Sequence, residues 1–477
     1  MSDKRKHARA ELPVTVQIQD LNNLGCGVGR LPAEDGGDGL VIFVKGAVTG
    51  DVVRAEIIKR TSSFAVGRLL EVVTPSPMRE TDTFCNAPEA CGGCVYRHLR
   101  YEDELTSKHA RVVRAFRQAG LSDVVVRPVM TTGTTRGYRN KGMYPVQQGK
   151  NGMVAGFFAA KTHKVIPCFD CALQPDVFGE MVRVVCNVCD RYGVTAYDEV
   201  SRRGHLRHIY LRTAADGSVL LTLVVNADRL PKPAADALVH ELVGRFPRLV
   251  GILLNINRAS TNVVLGEKFL TLWGQNYIED VLCGKRLRLS ADSFYQVNRD
   301  AAELLYNTAA DMAGFTGEEH LLDLYCGVGS IGLSMSDRVA DVTGIEVVPA
   351  AVDCARVNAA LNGLDESRAR FFCGDASDAD KFLSVAEKNG APAPDVAIID
   401  PPRKGTTREL ISALARRDIN RIVYISCEPE TLGRDCAIFR EFGYEIGEVQ
   451  PVDLFPRTGH VESVVSLTRG FNVDMRR

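Results

Sequence analysis

The sequence lacks several features that would place it in a special class of proteins. No run approaches the roughly 18–20 consecutive apolar residues of a membrane span, so no transmembrane helix is predicted. The N-terminal stretch MSDKRKHARAELP is basic but has no apolar core, unlike a signal peptide. No internal repeat or low-complexity tract is evident. We therefore expect a cytoplasmic globular protein with no membrane partner.

Strong charge of one sign is also absent. The 58 Lys and Arg residues nearly balance 59 Asp and Glu residues, which gives a net charge of −1. This balance does not indicate a nucleic-acid-binding protein, although local basic patches can bind phosphates on a neutral chain. The chain contains 14 cysteines, which in a cytosolic protein favour metal binding or catalysis over a disulfide framework. A monomer is the default expectation.

At 477 residues the chain is long enough for two or three domains, and its hydrophobic pattern predicts three. Residues 1–75 contain short alternating segments between Gly and Asp turns, which predicts a small OB-like β-barrel. Residues 76–290 read as a mixed α+β central domain, with one helix ending at Gly120. Residues 291–477 alternate strands and helices, which predicts an α/β fold with a doubly wound, Rossmann-like sheet.

A glycine-rich turn, LLDLYCGVGSIG, follows the first predicted strand of the C-terminal domain. Gly327 and Gly329 in this turn allow a ligand to approach the backbone closely. Glu346 ends the next predicted strand, where a carboxylate can accept hydrogen bonds from ribose hydroxyls. Asp375 fits the adenine side of the same pocket. The arrangement resembles the first motif of S-adenosylmethionine-dependent methyltransferases.

Cys427 follows the apolar strand RIVYIS, at the strand end where α/β sheets carry catalytic groups. Asp400 lies in IIDPPRKG, and Glu462 lies in FPRTGHVES. Carbon 5 of uracil is a poor nucleophile until a thiolate adds to carbon 6, and a base must later remove the carbon-5 proton. The combination predicts Cys427 as nucleophile, Glu462 as base and Asp400 at the polar edge of the pyrimidine. Alone, Cys427 would be interpreted as a small buried hydrophobic residue.

The C-terminal half resembles the RNA uracil-5-methyltransferase family, on the strings SFYQVN, DLYCGVGSIGL, IIDPPRKG, YISCEPETLGRD and FPRTGHVES, in that order. The resemblance implies the same three roles for Cys427, Glu462 and Asp400, and places Phe294 near the target base. It implies a site for S-adenosylmethionine and the uracil formed by Gln296, Tyr325, Glu346 and Asp400. The N-terminal barrel resembles the TRAM domain of the branch that modifies 23S ribosomal RNA.

Three cysteines with the spacing C-x5-C-G-G-C suit zinc or an iron–sulfur cluster: Cys85, Cys91 and Cys94. A fourth ligand is available from the pair Cys168 and Cys171. The family resemblance implies a [4Fe–4S] cluster and favours Cys171, while Cys168 and zinc stay open. A further pair, Cys186 and Cys189, lies in an apolar run that reads as helical, which favours core positions.

Two segments interleave cations with aromatic or His side chains, a pattern suited to single-stranded RNA. The first, TTRGYRNKGMYPV, contains Arg136, Arg139 and Lys141. The second, SRRGHLRHIYLR, contains Arg202, Arg203, Arg207, His208 and Arg212. Solvated strand edges are the alternative interpretation. Within the family resemblance we predict RNA contacts from Arg136, Arg139, Lys141 and Arg207.

Together these features predict methylation of uridine in 23S ribosomal RNA. The first alternative is a transfer RNA methyltransferase with the same chemistry. The second is an iron–sulfur RNA-binding protein without catalysis, against which Cys427 and Glu462 argue. Methylation of a protein or small molecule would leave the barrel and the thiol unexplained.

Overall fold

The structure, a computed structural model, describes residues 12–32, 39–81, 85–87, 90–160, 162–388 and 390–470. These residues form two compact units. The first contains the described residues of Met1–Asn86, Gly93–Lys108 and Phe455–His460, and the second those of Ala87–Gly92, His109–Leu454 and Val461–Arg477. Among the described residues, no helix is long and apolar enough to cross a membrane. The predicted domain boundaries at 75 and 290 stay predictions.

The first unit contains a closed five-stranded barrel, which confirms the OB-like prediction. Its strands are β1 (Val14–Leu21), β2 (Cys26–Arg30), β3 (Val41–Lys45), β4 (Val52–Arg60) and β5 (Phe64–Thr74). They pair in the order β1-β2-β3-β5-β4, with β1 closing onto β4, and only β3 and β5 run parallel. Alternate residues such as Val16, Ile18, Ile42 and Val44 point into the barrel and are buried.

The main segment of the second unit begins at His109, within helix α1 (Tyr101–Gln118). This helix ends before Gly120, as predicted, and Gly120 has φ +79°. A seven-stranded sheet follows, in the order β12-β11-β10-β9-β6-β7-β8. Its elements in chain order are β6 (Lys141–Gly149), β7 (Gly152–Phe158), β8 (Val165–Pro167), α2 (Asp176–Arg191), β9 (Leu206–Thr213), β10 (Val219–Val225), α3 (Lys232–Arg245), β11 (Leu249–Ile256) and β12 (Lys268–Gly274). Helices α2 and α3 pack on one face and enclose a continuous apolar core.

A hairpin and a second seven-stranded sheet complete the chain. The elements are β13 (Tyr277–Leu282), β14 (Lys285–Ser290), α4 (Arg299–Ala313), β15 (His320–Leu324), α5 (Ser330–Met335), β16 (Asp341–Glu346), α6 (Pro349–Leu361), β17 (Ala369–Cys373), α7 (Ala379–Lys388), β18 (Val396–Ile399), α8 (Arg408–Arg416), β19 (Arg421–Ser426), α9 (Pro429–Glu441), β20 (Glu445–Val452) and β21 (Glu462–Thr468).

This second sheet has the order β17-β16-β15-β18-β19-β21-β20, which confirms the Rossmann-like prediction. Strands β15 to β19 run parallel, and β21 is antiparallel to both β19 and β20. The strand order reverses between β15 and β18. In open α/β sheets, ligands bind outside the carboxyl ends of the strands at such a point. The fold therefore places the candidate site at the carboxyl ends of β15 and β18.

Candidate active site

Side chains predicted to act together stand in one row at the carboxyl ends of three neighbouring strands. Leu324 of β15 pairs with Ile345 of β16 and with Ile399 of β18. The residues that follow Leu324, Ile345 and Ile399 in the sequence are Tyr325, Glu346 and Asp400. The backbone N–H of Asp400 donates to the Leu324 carbonyl over 3.4 Å, which keeps the two strand ends together. The structure thus brings these three predicted residues to the switch point of the sheet.

The glycine-rich turn between β15 and α5 has a left-handed backbone at three positions. Tyr325, Gly327 and Gly329 all have positive φ values, of 64°, 55° and 78°. A Cβ at Gly329 would approach Leu333, Phe371 and Ala355 within 3.3 Å, whereas a Cβ at Gly327 would meet open space. The Gly327 N–H donates to Glu346 Oε2 over 3.1 Å. The turn therefore presents its backbone on an open side, as a cofactor cradle requires.

Asp323 lies beneath this turn and is fully buried. Its Oδ2 accepts the N–H of Gly332 over 2.8 Å, which fixes the start of α5. Its Oδ1 is buried with no hydrogen-bond partner among the described residues. Burial raises the pKa of Asp323 to about 7, and the charges of Asp400 and Glu346 add to the shift. Such an unsatisfied acceptor beside an open glycine turn fits a ligand with hydrogen-bond donors.

Cys427 and Glu462 come together through antiparallel pairing of β19 with β21. Ser426 pairs with Ser463, so Cys427 and Glu462 occupy the next position along the two strands. Burial raises the pKa of Cys427 to about 12, with further contributions from the charges of Glu462 and Asp400. The thiol is therefore protonated near neutral pH, and its attack needs a base to accept the proton.

Glu462 is almost completely buried. Burial raises its pKa well above the usual range, and the charge of Asp400 raises it further. Burial likewise raises the pKa of Asp400 to about 7. Arg403 opposes the shifts of Cys427 and Glu462 with its positive charge. A thiol and two carboxyls with raised pKa values, gathered at strand ends, are an arrangement suited to proton transfer.

Two residues near the site were not predicted from sequence. Arg403 follows the two prolines of IIDPPRKG and supplies the positive charge just described. Tyr306 on α4 is buried, and its pKa is raised by burial and by the charges of Asp400, Asp323 and Glu462. Arg403 could have been predicted as a site residue, because it lies three residues after Asp400 in the same motif. Tyr306 had no such signal, because an apolar helix position normally indicates core packing.

Helix α9 begins two residues after Cys427 and is fixed to α1 by ion pairs. Arg111 of α1 donates to both carboxylate oxygens of Glu430, over 3.0 and 2.6 Å, and also bonds Glu428. Its guanidinium is largely buried. On the other side, Asp435 of α9 accepts from the N–H of Thr406, which secures the segment after Asp400. The backbone on both sides of the candidate catalytic groups is therefore held by named side chains.

The segment between β14 and α4 carries Phe294 and Gln296. Gln296 is buried, while Phe294 is 66% exposed, unusually high for a large aromatic side chain. Asn140 holds the segment by donating from Nδ2 to the Gln296 carbonyl over 2.8 Å. The exposed ring of Phe294 is thus presented on an ordered backbone, which suits contact with a base. Asp375 is exposed, and its carboxylate accepts the N–H of Ser377 over 2.8 Å.

The predicted RNA contacts fall into two groups. Arg136 is exposed, and Arg139 and Lys141 are half-buried at the start of β6. Arg207 is buried; its guanidinium donates to the carbonyls of Asn257 and Ala259 and pairs with Glu199. Protein acceptors therefore engage the Arg207 guanidinium, and this placement does not support an RNA contact from that residue.

The predicted metal ligands are divided between the two units: Cys85 and Cys94 belong to the first, Cys91 and Cys171 to the second. A hydrogen bond from the Cys168 thiol, with backbone N–H donors of Leu173 and Gln174, lowers the pKa of Cys171 to about 7. Within the described residues, no group of three or more His, Cys, Asp or Glu side chains is arranged to hold a metal ion.

The other cysteine pair is structural, as the sequence predicts. Cys186 and Cys189 lie on α2 and are buried in the core of the first large sheet. Burial raises the pKa of each thiol to about 12. Both therefore behave as small apolar side chains.

The fold and the site define a class of protein: an α/β enzyme with a nucleotide-type cofactor turn and a thiol flanked by carboxyls. The family model described as tRNA (Uracil-5-)-methyltransferase matches residues 268–470. An uncharacterized RNA methyltransferase of Clostridium acetobutylicum is 37% identical over 458 residues, covering 95% of this chain and 96% of that protein. Another from Lactococcus lactis is 38% identical over 456 residues, with 95% and 96% coverage.

A solved structure is also similar over nearly the whole chain. It is the Pyrococcus abyssi tRNA (uracil-54, C5)-methyltransferase in complex with S-adenosyl-L-homocysteine. The TM-score is 0.75 and the identity 26%, covering 95% of this chain and 100% of that one. The chain belongs to the S-adenosylmethionine-dependent RNA uracil-5-methyltransferase family.

Proposed function

We propose that this protein methylates carbon 5 of a uridine in large-subunit ribosomal RNA through a covalent bond between the RNA and Cys427. The observation that carries the proposal is the meeting of Cys427 with Asp400 and the buried Glu462, at the carboxyl ends of β18 and β19 and the amino end of the antiparallel strand β21. The glycine turn after β15 lies at the same edge of the sheet. A thiol placed there has both a base and a cofactor cradle within its surroundings.

The residues suggest an order of events. The Cys427 thiol first loses its proton to solvent. The thiolate then adds to carbon 6 of the uracil, and the electron pair of the carbon 5–carbon 6 double bond moves to make carbon 5 nucleophilic. Asp400 contacts the polar edge of the ring. S-adenosylmethionine, when bound by Tyr325, Glu346, Gln296 and the turn at Gly327, supplies an electrophilic methyl group for carbon 5. Glu462 then accepts the carbon-5 proton, the bond between sulfur and carbon 6 breaks, and Cys427 leaves as thiolate.

Glu462 suits the proposed role of base because burial raises its pKa, and with it the affinity of its carboxylate for a proton. A carboxylate with an ordinary pKa near 4 would be a weak acceptor for a carbon-bound proton. Asp400, with a pKa near 7, is able to donate a hydrogen bond in its protonated form. The developing negative charge on the ring needs such a donor.

The choice of ribosomal RNA rests on the N-terminal barrel, which resembles the TRAM domain of the ribosomal RNA branch. Transfer RNA is the second candidate. It is favoured by the Pyrococcus abyssi structure, whose own substrate is a transfer RNA and which matches 95% of this chain. The non-catalytic alternative predicts that Cys427 is dispensable for the protein's activity.

One experiment separates these possibilities. Total RNA from a strain lacking this gene is incubated with the protein and methyl-labelled S-adenosylmethionine, and the nucleosides of each RNA fraction are analysed. We expect labelled 5-methyluridine in the large ribosomal RNA, and none with Cys427→Ala. Label confined to transfer RNA would show that the proposed substrate is wrong. Equal labelling by Cys427→Ala would show that the covalent mechanism is wrong.

We also propose a [4Fe–4S] cluster held by Cys85, Cys91, Cys94 and Cys171. The C-x5-C-G-G-C spacing and the family resemblance support this proposal. The described part of the structure does not gather three metal-binding side chains, so no step of the reaction is assigned to the cluster.

A further inference from the structure

Two cations face each other across neighbouring strands of the first large sheet. Lys141 of β6 pairs directly with Arg212 of β9 in the antiparallel register. Directly opposed residues place their side chains on the same face of the sheet, and like charges there destabilise the pair. Arg139 is close enough for its charge to act on Lys141. Among the described residues, none of these three cations has a carboxylate within 4.0 Å.

The burial of Arg212 makes this arrangement costly. Its side chain is fully buried. One nitrogen, Nη2, donates to the Ser293 carbonyl over 2.6 Å and to the Tyr210 hydroxyl over 3.1 Å. The other two, Nε and Nη1, are buried without an acceptor among the described residues. Leaving a buried guanidinium half-satisfied is unfavourable, because the donors lose their bonds to water.

The opposed pair lies on the sheet face away from the apolar core. Ile209, Leu211 and Tyr144 fill that core from the other face of β9 and β6. On the face of the cations lies the segment of Phe294, held by Arg212 through Ser293 and by Asn140 through Gln296. An exposed aromatic ring and a row of cations are thus fixed to the same short segment.

We infer that Lys141 and Arg139, with the buried charge of Arg212 behind them, bind a phosphate group of the RNA substrate next to Phe294. A phosphate offers several acceptor oxygens and a negative charge, which matches the accessible cations of Lys141 and Arg139 and the uncompensated charge of the buried Arg212. The phosphate neutralises the opposed charges, while Phe294 stacks on a neighbouring base. The inference rests on the proposed function, because it takes the partner to be RNA.

The test uses Lys141→Met, with Lys268→Met as the matched control. Lys268 is an exposed lysine on edge strand β12 of the same sheet. Binding to a short oligouridine and to a large ribosomal RNA transcript is measured at several salt concentrations. For Lys141→Met, the slope of log Kd against log salt should fall by about 0.7–1. Lys141→Arg and Lys268→Met should keep the wild-type slope.

Two further readouts separate a phosphate site from other roles. Lys141→Met removes like-charge repulsion, so it should unfold at the same or a higher urea concentration than the wild type. A variant that loses stability and RNA affinity together overturns the inference, because Lys141 would then be a structural residue. The affinity of Lys141→Met for S-adenosylhomocysteine should equal that of the wild type. If this affinity falls while the salt dependence of RNA binding is unchanged, the cations bind the carboxylate of the cofactor, and the inference is overturned.

The outcomes also separate this inference from the proposed function. If wild-type protein labels no ribosomal RNA but the oligouridine slope falls in Lys141→Met, the substrate is wrong and the phosphate site stands. If labelling occurs and the slope in Lys141→Met equals that of the wild type, the phosphate site is wrong and the methyltransferase function stands.

Discussion

At the scale of single residues, the proposed chemistry depends on how burial sets the protonation of three groups. Burial keeps the Cys427 thiol protonated, makes the Glu462 carboxylate a strong proton acceptor, and places the pKa of Asp400 near 7. Near-isosteric replacements at Glu462 and Asp400 can therefore separate the roles with little change in packing.

Replacing Glu462 with Gln should trap the reaction halfway. The amide fills the same buried space but cannot accept the carbon-5 proton, so addition and methyl transfer proceed while release of Cys427 stalls. A covalent protein–RNA species should accumulate, with turnover reduced by about 10²-fold or more. Denaturing gel electrophoresis with labelled RNA measures both quantities, and the double variant with Cys427→Ala is the control that forms no adduct. Normal turnover by Glu462→Gln would show that another group is the base.

Replacing Asp400 with Asn should change the pH dependence of stability. The folded pKa of about 7 lies above the ordinary value of 3.8, so the folded state binds more protons than the unfolded chain between these values. The contribution of Asp400 to the free energy of unfolding of the wild type is fully present below about pH 4. It is lost as the pH rises through about 7. Relative to the wild type, Asp400→Asn should therefore gain about 2–4 kcal/mol of unfolding free energy between pH 4 and pH 8.

Urea unfolding at pH 5 and pH 8 measures this difference. Asp375→Asn is the control of opposite sign, because the Ser377 N–H lowers the pKa of that exposed carboxyl. Neutralising Asp375 should remove stability that the wild type has above pH 4. The same stability difference for Asp400→Asn at both pH values would contradict the burial of a titrating carboxyl.

Sequence reasoning could identify Cys427, Glu462 and Asp400 because each lies in a short motif at the end of an apolar strand. It could not place Arg207, because a cation in a basic run reads as exposed until tertiary acceptors are known. Its burial follows from carbonyls about 50 residues away in the chain. Tyr306 was missed for a related reason: the charges that surround it come from three different strand ends.

At the scale of elements, the placement of the thiol depends on how α9 is fixed. Arg111 of α1 binds Glu428 and Glu430 at the beginning of α9, and the turn before it carries Cys427. Helix α1 precedes this turn by about 300 residues in sequence and yet fixes its position. The catalytic turn is thus positioned by long-range ion pairs as well as by β19.

Replacing Arg111 with Met should slow attack by the thiol without weakening RNA binding. Loss of the ion pairs allows the turn to shift, and a displacement near 1 Å costs about 10²-fold in rate. The rate of adduct formation with 5-fluorouridine-containing RNA should fall by about 10–100-fold, while the RNA Kd stays within about twofold; Arg111→Lys should recover part of the rate.

The matched control is Arg440→Met, at the other end of α9. Arg440 pairs with Asp123 in an exposed bridge, over 2.9 Å, and such bridges contribute little. Arg440→Met should retain the wild-type rate of adduct formation. Equal slowing in both variants would indicate general loosening of α9, and Arg111 would lose its special role.

Elements differed in how well the sequence predicted them. Strands β15 to β19 are continuous apolar runs and were predicted, because parallel strands covered on both faces have that pattern. Strand β2 was missed because its sequence, CGVGR, resembles a turn. Its glycines are required by crowding, since a Cβ at Gly29 would lie 2.4 Å from Val16 Cγ1. Strand β21 was not predicted, because it begins inside the motif FPRTGHVES, whose proline and glycine indicate a turn.

At the scale of the whole molecule, the net charge of −1 is the sum of acidic and basic groups that lie in different places. Acidic side chains gather at the strand ends of the second sheet, where Glu462 and Asp323 are buried and Asp400 is half-buried. Two directly opposed cations lie on the other large sheet, at Lys141 and Arg212. An RNA-modifying protein therefore does not need a basic composition, because a local group of cations is enough to attract a phosphate.

The proposed cluster would connect cysteines that lie 86 residues apart in the sequence, from 85 to 171. Its four ligands run from Cys85 to Cys171, and a metal that holds both ends closes a long loop, which stabilises the folded chain. The chain contains an internal control, because Cys186 and Cys189 repeat the C-x-x-C spacing of Cys168 and Cys171 but are buried in the core.

Cys171→Ser should remove the iron of anaerobically purified protein and its visible absorbance, which the polypeptide alone does not have. It should also lower Tm by several degrees, as expected for a loss of about 1–2 kcal/mol. Cys186→Ser should retain the iron, because that thiol only packs in the core. Cys168→Ser distinguishes the two candidate fourth ligands by the same measurement. Zinc in place of iron, in amounts that fall in Cys171→Ser, would keep the ligand set and change the metal; wild-type protein with neither metal would overturn the site.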